Sequence, residues 1–396
     1  MTVAGRKPRP APVAGENMFA LGRRLGTLDV VVCCGSGGVG KTTVSAALAL
    51  SIAASHDRKV LVLTVDPARR LATALGVSIG ADPVLLPRAR LRRAGIPQQG
   101  EVWAAMLDMK LAWDRLIERA APDRRTAQRI LRNRFYERIS DSFVGSHEYA
   151  AMETLYELHE AGEYDCIVVD TPPSRNALDF LDAPSRLSDY VGARLLSWLA
   201  GPSGFGLRAV NFAATPFLRI ADRLLGGEVL QEVSDFVRQL QQLYGGVQQR
   251  ARDVYRLLRS PRVGFVVVST LEPGPFKEAE FFAGKLRDYA MPLRSVVVNR
   301  VLPDSLSSRE AAAAATTLVD DASVVGWLRR HLDLHVTPET VRSTGRTFLT
   351  FNALAQRDEA QLQRLSRFSQ APVTRIPLFT DDLSQLEGLA RIAALL

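Results

Sequence analysis

The chain has 396 residues, 47% of them hydrophobic and 23% charged, a composition typical of a globular protein large enough to bury a core. Its net charge of +8 comes almost wholly from arginine. The arginines are spread along the chain and no basic block is flanked by aromatic residues, so we expect no nucleic-acid partner. No segment is long and apolar enough to predict a membrane span.

The N-terminal residues differ from the rest of the chain. Residues 1–20 are basic and rich in Pro and Ala, and they lack the apolar core of a signal peptide. We therefore expect a disordered arm over 1–20 and a single domain over 21–396. The domain is expected to be cytoplasmic, with a peripheral position at a membrane as the alternative.

A glycine-rich run is the most informative motif of the chain. It fits the phosphate-binding loop pattern G-x-x-x-x-G-K-[ST]. An apolar strand, Val30–Cys34, precedes it and an alanine-rich helical run, residues 44–54, follows it. This strand–loop–helix context favours nucleotide binding over an incidental glycine-rich turn. The residues of the run are Gly35, Ser36, Gly37, Gly38, Val39, Gly40, Lys41, Thr42 and Thr43.

Further apolar runs rich in Val and Ile are typical of buried parallel strands. Helical stretches separate them, which predicts an α/β fold: a mostly parallel sheet flanked by helices, with an inserted helical subdomain. The predicted strands are 28–34, 59–66, 166–170, 263–270 and 295–299, with weaker candidates at 102–107 and 373–377.

Two acidic residues end predicted strands. Asp66 follows the run 60–65, and Asp170 follows the run 166–169. Ligands of open α/β sheets bind at the carboxyl edge of the strands, so Lys41, Asp66 and Asp170 are expected to converge there. An Asp that follows an apolar strand is typical of the Mg²⁺ side of a phosphate-loop ATPase, although each residue could instead cap a helix.

Two long helical blocks exceed what a nucleotide core needs. They are predicted as insertions at about 108–160 and 183–258. The part between Leu195 and Ile220 is unusually apolar and is interrupted by Gly and Pro. It can pack as a helical layer, or it can form a groove for an apolar client. The groove hypothesis names Leu196, Leu199, Phe212 and Phe217.

Four landmarks together resemble one family. They are the loop at 35–43, Val65-Asp66-Pro67-Ala68, Val169-Asp170-Thr171-Pro172-Pro173 and Val297-Val298-Asn299. They resemble the deviant-loop ATPases of the SIMIBI class and, within it, the arsenite-pump ATPase (ArsA) family, which includes the ATPases that deliver tail-anchored membrane proteins. The resemblance covers nearly the whole chain apart from the arm.

The resemblance implies a dimeric ATPase that uses ATP and Mg²⁺ and couples hydrolysis to an apolar or membrane-protein client. The loop would hold the phosphates, with catalytic roles for Lys41 and Asp66. Thr42 would ligate Mg²⁺ directly and Asp170 through water. Asn299 would hydrogen-bond the adenine, with Pro377 and Leu378 near the base.

Two departures from the family pattern bear on the partners. The family's loop usually has a Lys, which reaches the partner's nucleotide, where this chain has Ser36. We therefore expect slow hydrolysis alone, as a homodimer, or a heterodimer with a related ATPase that supplies a cation. The three cysteines, Cys33, Cys34 and Cys166, lie in predicted strands and form no C-x-x-C pair, so neither zinc nor a metalloid is expected.

Two other functions remain open. A partitioning or positioning ATPase of the ParA or MinD type would bind DNA or a membrane, and the run Leu383, Leu386, Leu389 and Ile392 could then be a membrane-surface helix. The same run fits a packed final helix better. A cluster-carrying reductase or scaffold is disfavoured by the missing C-x-x-C pair.

Overall fold

The computed structural model describes residues 18–66, 70–97, 99–133, 136, 147–171, 227–321, 323–332, 336–381 and 385–396. The four residues of the predicted client groove, Leu196, Leu199, Phe212 and Phe217, lie outside the described residues.

An eight-stranded sheet forms the centre of the structure. The strands are β1 (Val30–Cys34), β2 (Lys59–Thr64), β3 (Val84–Leu85), β4 (Glu101–Met106), β5 (Cys166–Asp170), β6 (Val263–Ser269), β7 (Leu293–Val301) and β8 (Val373–Pro377). Their order is β3-β4-β2-β5-β1-β6-β7-β8, and every neighbouring pair is parallel except β3 and β4. The predicted α/β fold is confirmed, and all seven predicted strands lie in the sheet.

The described helices cover both faces of this sheet. They are α1 (Ala20–Leu25), α2 (Lys41–Ser55), α3 (Arg70–Leu75), α4 (Arg88–Arg93), α5 (Met109–Ala120), α6 (Arg124–Leu131), α7 (His147–Ala161), α8 (Gly227–Leu258), α9 (Pro273–Asp288), α10 (Arg309–Asp320), α11 (Ser323–Leu332), α12 (Pro338–Ser369) and α13 (Leu386–Leu395), with a 3-10 turn at Asp304–Ser307. Strand β1 explains the two layers, because Val30 and Val32 belong to one hydrophobic cluster and Val31 and Cys33 to another.

Helix α2 fixes the start of the candidate site. It begins at Lys41, directly after the glycine-rich loop, and most of its 15 residues are buried. Its alanines let it approach the sheet and its neighbours closely on several sides. Helix α13 packs on α2, with Leu389 and Ile392 at 0% and 2% exposure. These apolar residues therefore pack in the core, which removes the feature that favoured a membrane-surface helix.

The predicted boundary of the N-terminal arm at residue 20 is wrong. Phe19 is 7% exposed in the hydrophobic core, and its N–H donates to the carbonyl oxygen of Ala394 over 3.2 Å. Helix α1 then begins at Ala20. Burial of a large aromatic side chain outweighs the entropy of ordering these residues, so the ordered chain includes 18–20.

The helical segment between β7 and β8 has bounds that the sequence did not indicate. It holds the 3-10 turn and helices α10, α11 and α12. Asn352, midway along α12, donates from Nδ2 to the carbonyl oxygen of Leu306 over 2.7 Å. Leu306 follows the carboxyl end of β7, whereas Leu362 and Leu365 of α12 join the core against the sheet. The N-terminal half of α12 therefore extends beyond the carboxyl edge of the sheet.

None of the helices in the described ranges combines the length and apolar character that a bilayer crossing requires.

Candidate nucleotide site

The glycine-rich loop connects the end of β1 to the start of α2 at the carboxyl edge of the sheet. Gly35, Gly38 and Gly40 have φ angles of 149°, 79° and 94°, which favour glycine. At Gly35 a Cβ atom would overlap the carbonyl oxygen of Val268. The loop therefore runs tightly against β6, and its backbone conformation requires glycine at these positions.

Lys41 is held inside the loop. Its Nζ donates to the main-chain oxygen of Ser36 over 2.8 Å, and the residue is only 6% exposed. Burial lowers the pKa of Lys41, while Asp170 and, more weakly, Asp66 and Glu278 raise it. The ammonium group is thus preorganised beside the space that the loop encloses, with donors left for an anion.

The two acidic strand ends lie side by side, as predicted for the carboxyl edge. Thr64 at the end of β2 pairs with Asp170 at the end of β5, and Asp66 follows two residues later. Asp66 forms an ion pair with Arg70 at 3.5 Å. Both carboxylates act on the charge of Lys41, so the three groups form one electrostatic cluster.

Asp170 is the most deeply buried acid of this cluster, at 1% exposure. Burial raises the pKa of Asp170 to about 6, while the nearby hydroxyl groups of Thr42 and Thr64 lower it. Its Oδ2 accepts from Thr64 Oγ1 over 2.9 Å, while its Oδ1 is buried without a hydrogen-bond partner among the described residues. A buried carboxylate oxygen without a partner, close to a threonine hydroxyl, fits a hard cation such as Mg²⁺ and its water.

Residues predicted near the base lie on two neighbouring strands. Asn299 of β7 donates from Nδ2 to the carbonyl oxygen of Val39 over 2.9 Å and accepts from the N–H of Arg300 at Oδ1. Pro377 ends β8, and the N–H of Leu378 donates to the carbonyl oxygen of Val301 over 2.8 Å. Leu378 is 47% exposed, so its side chain is free to cover a planar ring.

The structure adds two residues that the sequence did not single out. Thr64 bonds the Asp170 carboxylate, and Glu278 of α9 lies near enough to Lys41 to affect its pKa. A polar residue at the end of an otherwise apolar strand was the available signal for Thr64. Glu278 had none, because it lies on a helix far along the chain.

The remaining loop residues differ in exposure. Thr42 and Thr43 are half-buried in the first turn of α2, and Gly37 and Gly38 are exposed. Ser36 is buried at 8% exposure, and its Oγ has no hydrogen-bond partner among the described residues. The loop therefore presents its backbone and two hydroxyls, and Ser36 presents no charge.

Comparisons with known proteins identify the family of the chain. The family model of the anion-transporting ATPases matches residues 28–318. The chain is 26% identical over 366 residues to the ATPase BagA of Mycobacterium tuberculosis, covering 86% of this chain and 87% of the relative. It is 25% identical over 297 residues to the ATPase get3 of Schizosaccharomyces pombe, covering 74% and 79%. It is 25% identical over 280 residues to the ATPase ASNA1 homolog of Entamoeba dispar, covering 70% and 77%. The chain belongs to the anion-transporting ATPase (ArsA) family and is an ATPase.

Proposed function

We propose that the chain is a nucleotide-driven homodimeric switch that hydrolyses ATP with Mg²⁺ and couples this cycle to an apolar or membrane-associated client in the cytoplasm. The observation that carries the proposal is the cluster of Lys41, Asp66 and Asp170 beside the phosphate loop. Phosphoryl transfer depends on positioning and charge neutralisation, and this cluster offers a fixed cation and two carboxylates at one edge.

Each group of the cluster has a distinct proposed role. The loop N–H groups and Lys41 bind the β- and γ-phosphates. Asp66 orients the attacking water, because it is only partly buried and begins the segment that follows β2. Thr42 and Asp170 hold Mg²⁺, which supplies charge neutralisation at the phosphate oxygens when bound. Asn299 and the Pro377-Leu378 segment bind the adenine.

The dimer is supported by a face of α12, from its N-terminal end to its middle, that no described residue covers. Phe351 and Leu354 are 42% and 36% exposed there. They continue a stripe of exposed, uncharged residues at the spacing of a helix-pairing seam, with Thr340, Thr344 and Thr347. Two copies of a chain with net charge +8 repel each other least across an uncharged surface.

The position of this stripe also fits a dimer that closes around nucleotide. The N-terminal half of α12 extends beyond the same sheet edge that carries Lys41 and Asp170. A two-fold pair of stripes brings both nucleotide edges into one interface. The double variant Phe351→Asp/Leu354→Asp should then abolish the dimer. The control is Phe281→Asp, which should leave the dimer intact, because Phe281 is 50% exposed on another helix, α9.

Ser36 predicts that this homodimer hydrolyses ATP slowly. A buried serine hydroxyl cannot supply the charge that the family's loop Lys brings to the partner's nucleotide. Loss of such a cation costs orders of magnitude in rate. Turnover of several ATP per second by the purified protein would contradict this part of the proposal. A heterodimer with a related ATPase that has the Lys is the alternative.

The client is proposed from the family resemblance and from the apolar segment that holds Leu196, Leu199, Phe212 and Phe217. The test is affinity capture from the native cell with Asp66→Asn, loaded with Mg·ATP and, as control, with ADP. Membrane proteins recovered only with ATP, and lost with Leu196→Asp/Phe217→Asp, would support delivery of an apolar client. Recovery of only chromosome-associated or division proteins would favour a positioning ATPase instead.

A further inference from the structure

Thr64 connects the two acidic residues of the site through one hydroxyl group. Its Oγ1 lies 2.9 Å from Asp170 Oδ2, and the N–H of Asp66 lies 3.2 Å from the same Oγ1. Thr64 is 2% exposed and Asp170 is 1% exposed. The two hydrogen bonds therefore form out of contact with solvent.

The direction of these hydrogen bonds is fixed by chemistry. The N–H of Asp66 can only donate, and an ionised carboxylate can only accept. The Thr64 proton must therefore point to Asp170, while the hydroxyl oxygen accepts from Asp66. A chain of bonds with one direction polarises each member, so the loss of either bond weakens the other.

The same arrangement distinguishes the two oxygens of Asp170. Oδ2 is engaged by Thr64, whereas Oδ1 is buried without a hydrogen-bond partner among the described residues. The register of the sheet holds this geometry, because Thr64 and Asp170 are paired residues of adjacent strands. Rotation of the carboxylate would break the bond to Thr64, so the hydroxyl keeps Oδ1 directed away from β2.

We propose that Thr64 is a positioning residue that sets the orientation of the Asp170 carboxylate for Mg²⁺ and couples it to the start of the segment that contains Asp66. This rests on the proposed roles of Asp66 and Asp170 and adds a physical link between them. When the main chain moves at Asp66, its N–H no longer donates to the Thr64 hydroxyl. The hydrogen bond from that hydroxyl to Asp170 then weakens. The state of one acidic segment is thereby transmitted to the other.

Two substitutions separate the hydroxyl from the rest of the side chain. Thr64→Val keeps the β-branched shape that suits a buried strand and removes the hydroxyl, whereas Thr64→Ser keeps the hydroxyl and removes a methyl group. Ser295→Ala is the matched control. Ser295 lies on β7, and its buried hydroxyl donates to the carbonyl oxygen of Pro372.

The measurement is ATP affinity by calorimetry with Mg²⁺ and with EDTA. We expect the gain in ATP affinity that Mg²⁺ causes to be about tenfold smaller in Thr64→Val than in wild type, the effect of losing one charge-assisted hydrogen bond. The affinity without Mg²⁺ should stay within about twofold of wild type. Thr64→Ser and Ser295→Ala should both stay within about twofold of wild type under both conditions.

Amide hydrogen exchange without nucleotide gives a second readout. Thr64→Val should speed exchange at Asp66, whose N–H loses its acceptor, but not at Val65, whose N–H donates to the main-chain oxygen of Asp170. Wild-type Mg²⁺ dependence in Thr64→Val, or a Thr64→Ser defect as large as that of Thr64→Val, would overturn the positioning role. A wild-type protein whose ATP affinity does not respond to Mg²⁺ would overturn the proposed Mg²⁺ site and this link with it.

Discussion

Asn299 braces the phosphate loop, because its Nδ2 donates to the carbonyl oxygen of Val39 over 2.9 Å. The residue lies on β7, two strands away from β1, which leads into the loop. A single amide thus ties the far side of the sheet to the phosphate site. The same side chain is proposed to bind adenine, so its removal should affect both parts of the nucleotide.

Asn299→Ala should weaken ATP binding and reduce the preference for ATP over GTP. The amide offers a donor and an acceptor to adenine, and loss of such a pair costs about 1–3 kcal/mol. Fluorescence titration with both nucleotides measures the ratio of affinities. An equal loss for ATP and GTP would mean that Asn299 only braces the loop.

Gly40→Ala should weaken ATP binding by at least about tenfold, because the new methyl group adds steric overlap to backbone strain. A Cβ atom at Gly40 would lie 2.5 Å from Asn299 Nδ2, and the φ angle is 94°. The double variant Gly40→Ala/Asn299→Ala removes the overlap but not the strain. Relative to Asn299→Ala, we expect the double variant to lose only the ATP affinity that the backbone strain costs. Calorimetry measures these affinities. A loss in the double variant equal to the sum of the two single-variant losses would contradict a clash between these residues.

Arg250 should contribute strongly to stability in the helical layer. Its Nε donates over 2.8 Å to Glu153, whose side chain is 1% exposed. Arg250→Met leaves a buried carboxylate unpaired, which costs about 3–5 kcal/mol of unfolding free energy. The control Arg256→Met breaks an exposed pair with Asp253 and should cost less than about 1 kcal/mol. Urea unfolding of both variants measures the difference, and equal losses would contradict it.

The pH dependence of Arg250→Met has a definite sign. Burial raises the pKa of Glu153, and Arg250 opposes this effect. Without Arg250 the pKa of Glu153 in the folded state rises further above its unfolded value. The folded state then holds a proton that the unfolded state releases, so the variant loses stability as pH rises through the folded-state pKa. A variant that is stabilised over this rise would refute the assignment.

The three cysteines should be inert in the folded protein. Burial raises the pKa of Cys33 and of Cys166 to about 12 and that of Cys34 well above its usual value. At pH 8 a thiol of this pKa is ionised in about one molecule in 10,000, and the strands exclude reagents as well. Mass spectrometry after iodoacetamide treatment should find no labelling without denaturant and three labels in urea. Rapid labelling of the folded protein would contradict the buried positions.

The sequence predicted those parts of the fold that depend on local pattern. Parallel strands buried on both faces appear as continuous apolar runs, so all seven could be found, and the phosphate loop has a fixed spacing. The two-residue strand Val84–Leu85 is too short to carry a pattern. Residues 18–20 were assigned to the arm because their burial depends on the distant helix α13.

The bounds of the helices between β7 and β8 could not be predicted, for a different reason. Along α12, residues Gly345, Asn352, Asp358 and Ser369 are buried among the apolar ones, so the apolar period is broken. Gly345 allows α10 and α12 to approach closely, with a Cβ there 2.7 Å from the carbonyl oxygen of Ala315. The bond between Thr64 and Asp170 joins residues 106 positions apart, and only the adjacency of β2 and β5 brings them together.

The most direct test of the proposed switch is the molar mass of Asp66→Asn in solution, measured by light scattering with Mg·ATP and with Mg·ADP. The variant should bind ATP without hydrolysing it and so hold the closed state. The account predicts about twice the chain mass of 43.4 kDa with ATP and a single chain with ADP. The same mass with both nucleotides would contradict a homodimer that assembles with ATP and separates with ADP.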